Sequence, residues 1–190
     1  MTFSEEIQSA LRGWWAVLRN DRSAPDQFDL SLRGFVTSLI PVVALMVFVQ
    51  PLNLGETAEG VFIVPAYALV ILQAYLYAAR VIGVYAFLRL VKRERALVPL
   101  LTVWNWNDVI VTAAALVLTL VGLNGMFFIV VVYSVLLFYF VRSSQMIAGL
   151  DVPMILGMGI AMFAAMMIAM MPFAPFIAEH MAALGNMQTQ

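Results

Sequence analysis

The chain has 190 residues, of which 64% are hydrophobic and 11% charged, with a formal net charge of −1 and a mean hydropathy of +0.96. Soluble domains are about half apolar and about a quarter charged, so the surplus of apolar side chains here must face something other than water. The lack of cysteine excludes disulfides, thiolate metal ligands and cysteine nucleophiles, and the absence of a basic excess argues against a nucleic-acid partner.

Residues 1–33 are polar and charged and contain no short apolar run ending in a small-residue cleavage site. The expectation is therefore no cleaved signal peptide, with the first span acting as an uncleaved insertion signal. Ser4, followed by Glu5 and Glu6, reads as a helix start. Ile7, Leu11, Trp14 and Leu18 then recur at helical spacing, with Trp15, Arg12 and Arg19 beside them. This predicts an amphipathic helix lying in the cytoplasmic interface, the alternative being a helix packed under the bundle.

A hydrocarbon core of about 30 Å takes about 20 helical residues to cross. Runs with little or no charge place five spans, at about 34–52, 61–90, 102–121, 126–145 and 152–171. The charge-free run from Val109 to Val141 is too long for one crossing, and Gly122-Leu123-Asn124-Gly125 divides it into a hairpin. Asp151 is placed to cap the last span, with Pro153 in its first turn and Pro172 as its stop. Beyond it, Phe173 to Leu184 reads as a short amphipathic helix in the tail 172–190. The predicted fold is an all-α membrane protein, a five-helix transmembrane bundle flanked by two amphipathic helices.

Basic residues set the direction. Arg12, Arg19, Arg22 and Arg33 precede the first span, Arg89, Lys92, Arg93 and Arg95 lie between the second and third, and Arg142 closes the fourth. The other loops and the tail carry no lysine or arginine. Alternation of this kind predicts a cytoplasmic N-terminus and an outside C-terminus. Small size and short loops lean toward a bacterial inner (plasma) membrane.

Arg80 and Asp108 are the ionisable residues that this topology carries into or to the edge of hydrocarbon, and they are equidistant from Glu94 in the basic turn. A lone charge at mid-helix costs about 2.5–3.5 kcal/mol on insertion scales, so an Arg80–Asp108 ion pair is expected, near the cytoplasmic third of the bilayer. Gln73, Tyr77 and Arg80 form a polar stripe on the second span; Asn105, Asp108 and Thr112 form one on the third, with Trp104 and Trp106 close by. Facing stripes suit interhelical hydrogen bonding, a path for a proton, ion or solute, or a lipid headgroup site. The first is favoured because the remaining spans offer few polar residues to extend a path.

Met154, Met158, Met162, Met166 and Met170 recur every four residues on the last span. Thioethers bind Cu(I), but the chain adds no cysteine and its single histidine, His180, lies outside the bundle, so adaptable apolar packing is the better reading and no metal is expected. The neighbouring row Gly157, Ala161, Ala165 and Ala169 marks a face for close helix approach, within the bundle or against a partner. Zinc-protease, rhomboid-type serine, phosphate-loop and multi-aspartate metal motifs are all missing, which predicts a protein without catalytic residues or cofactor.

The turn Arg89-Leu90-Val91-Lys92-Arg93-Glu94-Arg95 with Val98-Pro99-Leu100 beyond it, and Arg142 followed by Gly149-Leu150-Asp151-Val152-Pro153, resemble bacterial members of the Yip1-like group of five-helix membrane proteins. The resemblance rests on architecture, covers about two thirds of the chain and supplies no catalytic residue. It implies a non-enzymatic role in membrane organisation or trafficking, as for the eukaryotic relatives, the bacterial relatives being largely without assigned function. The expected function is a scaffold or accessory subunit acting through helix packing, with a membrane-protein partner or a second copy; the alternative is a small transporter or permease component using Arg80 and Asp108.

Overall fold

The computed structural model describes residues 2–48, 66–123 and 125–173. Their regular secondary structure is all helical, with no strand among them. The helices are α1 (Phe3–Leu18), α2 (Leu32–Phe48), α3 (Ala66–Leu90), α4 (Leu97–Leu120), α5 (Met126–Ala148) and α6 (Val152–Met170). Short 3₁₀ turns sit at Ala24–Gln27, Glu94–Ala96 and Met171–Phe173. The expected tail helix, the loop at 52–60 and the start of the second span fall outside the described residues.

Among the described residues, four segments are long and apolar enough to cross a bilayer: Val70–Leu90, Glu94–Leu120, Met126–Ala148 and Val152–Phe173. They are compatible with an integral membrane protein. In its described part, α2 contributes a shorter apolar helix, Leu32–Val47. Half of the most apolar window of the second segment is buried, against 11–17% in the other three, which makes α4 the central helix. Every residue from Leu100 to Asn107 is buried. Leu100, Leu101 and Trp104 join Val84, Leu88, Ile155 and Met158 on one side of α4, while Val103 and Trp106 join Val17, Phe28 and Tyr139 on the other.

Local chemistry explains the ends. Asp151 accepts a hydrogen bond from the Met154 amide at 3.0 Å and caps α6. Gly149 closes α5 in the left-handed region, φ +61°, where a side chain would be strained. Two boundaries differ from the sequence reading. The α1 cap is Thr2, not Ser4: its hydroxyl accepts from the Glu5 amide while the Glu5 carboxylate accepts from the Thr2 amide, a reciprocal capping box. Helix α4 begins at Leu97 rather than near Thr102, because Pro99 is tolerated in a first turn and counting residues across hydrocarbon says nothing of helix that extends beyond it.

Helix α1 is docked on the bundle. Its buried residues are Glu6, Ser9, Ala10, Gly13 and Val17, whereas Leu11 and Trp15 remain exposed. The docking face thus joins a narrow strip centred on small and polar residues to Ile7, Trp14 and Leu18 of the predicted apolar row, while Leu11 stays outside it. Gly13 permits the close approach, since a Cβ there would collide with the Phe28 ring at 2.5 Å.

Helix α3 packs most extensively on α6, through small residues. A Cβ on Gly83 would lie 2.8 Å from the Ala161 carbonyl oxygen and 3.0 Å from the Ala165 Cβ, and Gly157 accommodates the Phe87 ring. The row Gly157, Ala161, Ala165 and Ala169 is therefore engaged within the chain's own bundle, with Ala169 buried. Of the methionine row, Met158 is fully buried in the core while Met154 is exposed.

Candidate functional site

Helices α3 and α4 do not pack as a close hairpin. Their polar stripes meet through long side chains across a gap, and two contacts bridge it. Arg80 Nη1 lies 2.9 Å from Asp108 Oδ2, and the Tyr77 hydroxyl donates to Asn105 Oδ1 at 2.9 Å. The gap exists because each helix has a closer neighbour, α6 for α3 and α2 with α5 for α4.

The Tyr77 bond continues as a relay. Asn105 Nδ2 donates to Ser38 Oγ at 2.9 Å, and Ser38 donates to the Phe35 carbonyl at 2.7 Å. Asn105 and Ser38 are both fully buried, so every link replaces water that cannot reach them. The relay ties α2, α3 and α4 together. On the next face of α4, the Trp104 indole donates to Ser143 Oγ at 3.0 Å, joining α5. The Trp104 ring also carries the Arg80 guanidinium 5.3 Å from its centroid, so Arg80 is held between a carboxylate and an aromatic face. A turn further on, Asn107 accepts from the Trp14 indole at 2.9 Å and fastens α1.

On the side of the ion pair away from the Lys92–Arg95 turn lies a cavity of about 300 Å³. Its polar lining is Gln73, Tyr77, Arg80, Asp108 and Thr112. Its apolar lining comes from Val42, Leu45 and Met46 of α2, Leu76 of α3, Val109 of α4 and Met166 of α6. The Asp108 side chain is 39% exposed and that of Arg80 21%, so the carboxylate is the more open partner. Tyr77, which opens the relay to Asn105 and Ser38, is itself part of the cavity lining. The structure thus brings Gln73, Tyr77, Arg80, Asn105, Asp108 and Thr112 to one locus.

Sequence reasoning missed Ser38, Ser143 and the Trp14–Asn107 contact. Ser38 and Ser143 are polar residues in apolar helices, a usable signal, but spacing cannot say which helix each would meet. Among the described residues no cluster of three or more histidines, aspartates or glutamates could hold a metal ion. Protein-family models, characterised proteins and solved structures give no match to this chain.

Proposed function

We propose that this chain is a non-enzymatic, multi-pass integral membrane protein that serves as a scaffold or accessory subunit, organising the membrane through helix packing. In this reading α2 continues into the first of five spans, the N-terminus is cytoplasmic and the C-terminus outside, and the host is a bacterial inner membrane. The loop charges support the orientation. The Yip1-like resemblance points the same way.

One observation carries the reading. The side chains of Trp104, Asn105, Asn107 and Asp108 on α4 are all bonded inside the bundle, to α1, α2, α3 or α5. Such groups hold helices together, and interhelical bonds of this kind contribute about 0.6–2 kcal/mol each. The outer faces are left apolar, with Phe127, Tyr133 and Leu137 of α5 and Ile160 and Phe163 of α6 exposed. A photoreactive residue at Tyr133 or Ile160 in native membranes should give a discrete protein adduct; adducts with lipid alone at both positions would refute the scaffold reading.

The open carboxylate of Asp108 favours a second reading, a small transporter or permease component. Reconstituted protein should then carry proton, ion or solute flux that Asp108→Asn abolishes with the fold intact. Flux that survives this substitution would exclude the pair from transport.

A further inference from the structure

The Arg80–Asp108 cavity has more hydrogen-bonding capacity than the protein uses. Asp108 Oδ2 is bonded by Arg80, but no hydrogen bond reaches Oδ1 among the described residues. Gln73 and Thr112, both half-buried in the same lining, have no side-chain hydrogen bond there either. At a rise of about 1.5 Å per residue, Arg80 stands about 15 Å along α3 from its end at Leu90, within the second proposed span. At that depth an unbonded amide or carboxylate oxygen is costly unless something in the cavity bonds it.

Charge and shape narrow what that is. Arg80 and Asp108 cancel one another, so a charged headgroup would bring an uncompensated charge into the membrane interior. The free carboxylate oxygen accepts only, so the occupant must donate; an ester, ketone or ether cannot. Beside the polar groups stand Leu45, Met46, Leu76 and Met166, which call for hydrocarbon. Water would meet the polar end, yet would wet those side chains. A cavity of about 150 Å³ takes benzene, and this one, at about 300 Å³, has room for a group about twice that size.

We propose that the cavity binds a neutral, hydroxyl-headed amphiphile from the side away from the basic turn, its hydroxyl donating to Asp108 and its chain lying against α2 and α6. This rests on the membrane placement under the proposed function, but not on the scaffold role. Gln73 and Thr112 accept or donate to further oxygens of the head, so a diol or glycerol head binds better than a simple alcohol.

The test uses the full chain in phospholipid nanodiscs and an octanol bearing a diazirine in its chain, with labelled residues mapped by mass spectrometry. Incorporation into nanodiscs, checked first, separates failed membrane placement from a failed site. Label is expected on Met46, Leu76 or Met166. At equal concentration in the bilayer, unlabelled octanol should compete about tenfold better than octyl methyl ether, the worth of one hydrogen bond to a charged group. Gln73→Leu, which breaks no bond among the described residues, should reduce competition by octanediol several-fold, and Leu76→Trp should abolish labelling by filling the cavity. Equal competition by the ether, label spread over lipid-facing residues only, or labelling that survives Leu76→Trp would each overturn the proposal.

Discussion

The Trp14 indole nitrogen donates to Asn107 Oδ1 at 2.9 Å, joining the first helix to the centre of the bundle, and the same indole stacks on Tyr139 with centroids 6.2 Å apart. Asn107 is 4% exposed, so its amide oxygen has no access to water as a substitute. This contact adds a polar tie to the apolar packing that docks α1 on the bundle.

Trp14→Phe keeps the stacking and removes the donor, leaving a buried acceptor unbonded. Docking of α1 should weaken by about 1–3 kcal/mol, the cost of such an orphan. Asn107→Leu combined with Trp14→Phe should cost less than the two singly, because neither partner is then stranded. Tyr139→Phe is the control: its hydroxyl is buried without a partner, so docking should hold or tighten. Hydrogen exchange of the Phe3–Leu18 amides reads all three. Exchange unchanged in Trp14→Phe would show that the contact carries no weight.

Removing either member of the Arg80–Asp108 pair should destabilise the bundle more than removing both. An unpaired charge at mid-helix costs up to about 3 kcal/mol on insertion scales, and the partial exposure of Asp108 lowers that ceiling. Asp108→Leu leaves Arg80 stranded over Trp104; Arg80→Met with Asp108→Leu leaves two apolar side chains of suitable size. A double-mutant cycle of unfolding from mixed micelles should give a favourable coupling energy. Additive losses would mean that the pair acts as two separate solvated groups.

Whether such relationships are legible in the sequence depends on whether they are local. Asp151 and Pro153 announce the start of α6, and Gly122, at φ +85°, ends the chain's run through α4. Each is a property of a few neighbouring residues. Arg80 and Asp108 can be matched because their distances from Glu94 are equal and a lone charge needs a partner. Which helices lie side by side is another matter. The small-residue row of α6 says that something comes close; only Gly83 and Phe87 in place say that it is α3. Periodicity likewise distinguishes a wet from an apolar face of α1, while steric fit at Gly13 sets how closely it docks.

That close approach sets a sharp steric limit. A Cβ on Gly83 would meet backbone, the Ala161 carbonyl oxygen at 2.8 Å and Met162 Cα at 3.0 Å, which cannot rotate aside as a flexible side chain would. Gly83→Ala should therefore separate α3 from α6 and cost about 1–3 kcal/mol, outweighing the gain of about 0.5–1 kcal/mol that alanine brings to a helix interior. Gly159→Ala, on the same α6 with nothing within 4 Å, should be neutral or stabilising. Equal stability of the two variants would place the α3–α6 contact farther apart than these distances.

Glu6 gives α1 docking a pH dependence. It is 4% exposed, and its Oε1 has no partner. Burial first, then the charge of Asp29, push its carboxyl above the ordinary value of 4.5, with Arg33 pulling the other way. A raised folded-state value means that the docked helix holds the proton more tightly than the unfolded chain does. The stabilisation is complete below 4.5 and is lost as pH rises through the raised value. Asp29 behaves oppositely: hydrogen bonding to Ser31 holds its carboxyl below the ordinary 3.8, so its contribution is lost only in stronger acid. As pH rises from 4.5 through the raised value, α1 amide protection, corrected for intrinsic exchange, should fall in the native chain. In Glu6→Gln it should stay level and exceed the native value at neutral pH. A slope that persists in the variant would assign the titration to another group.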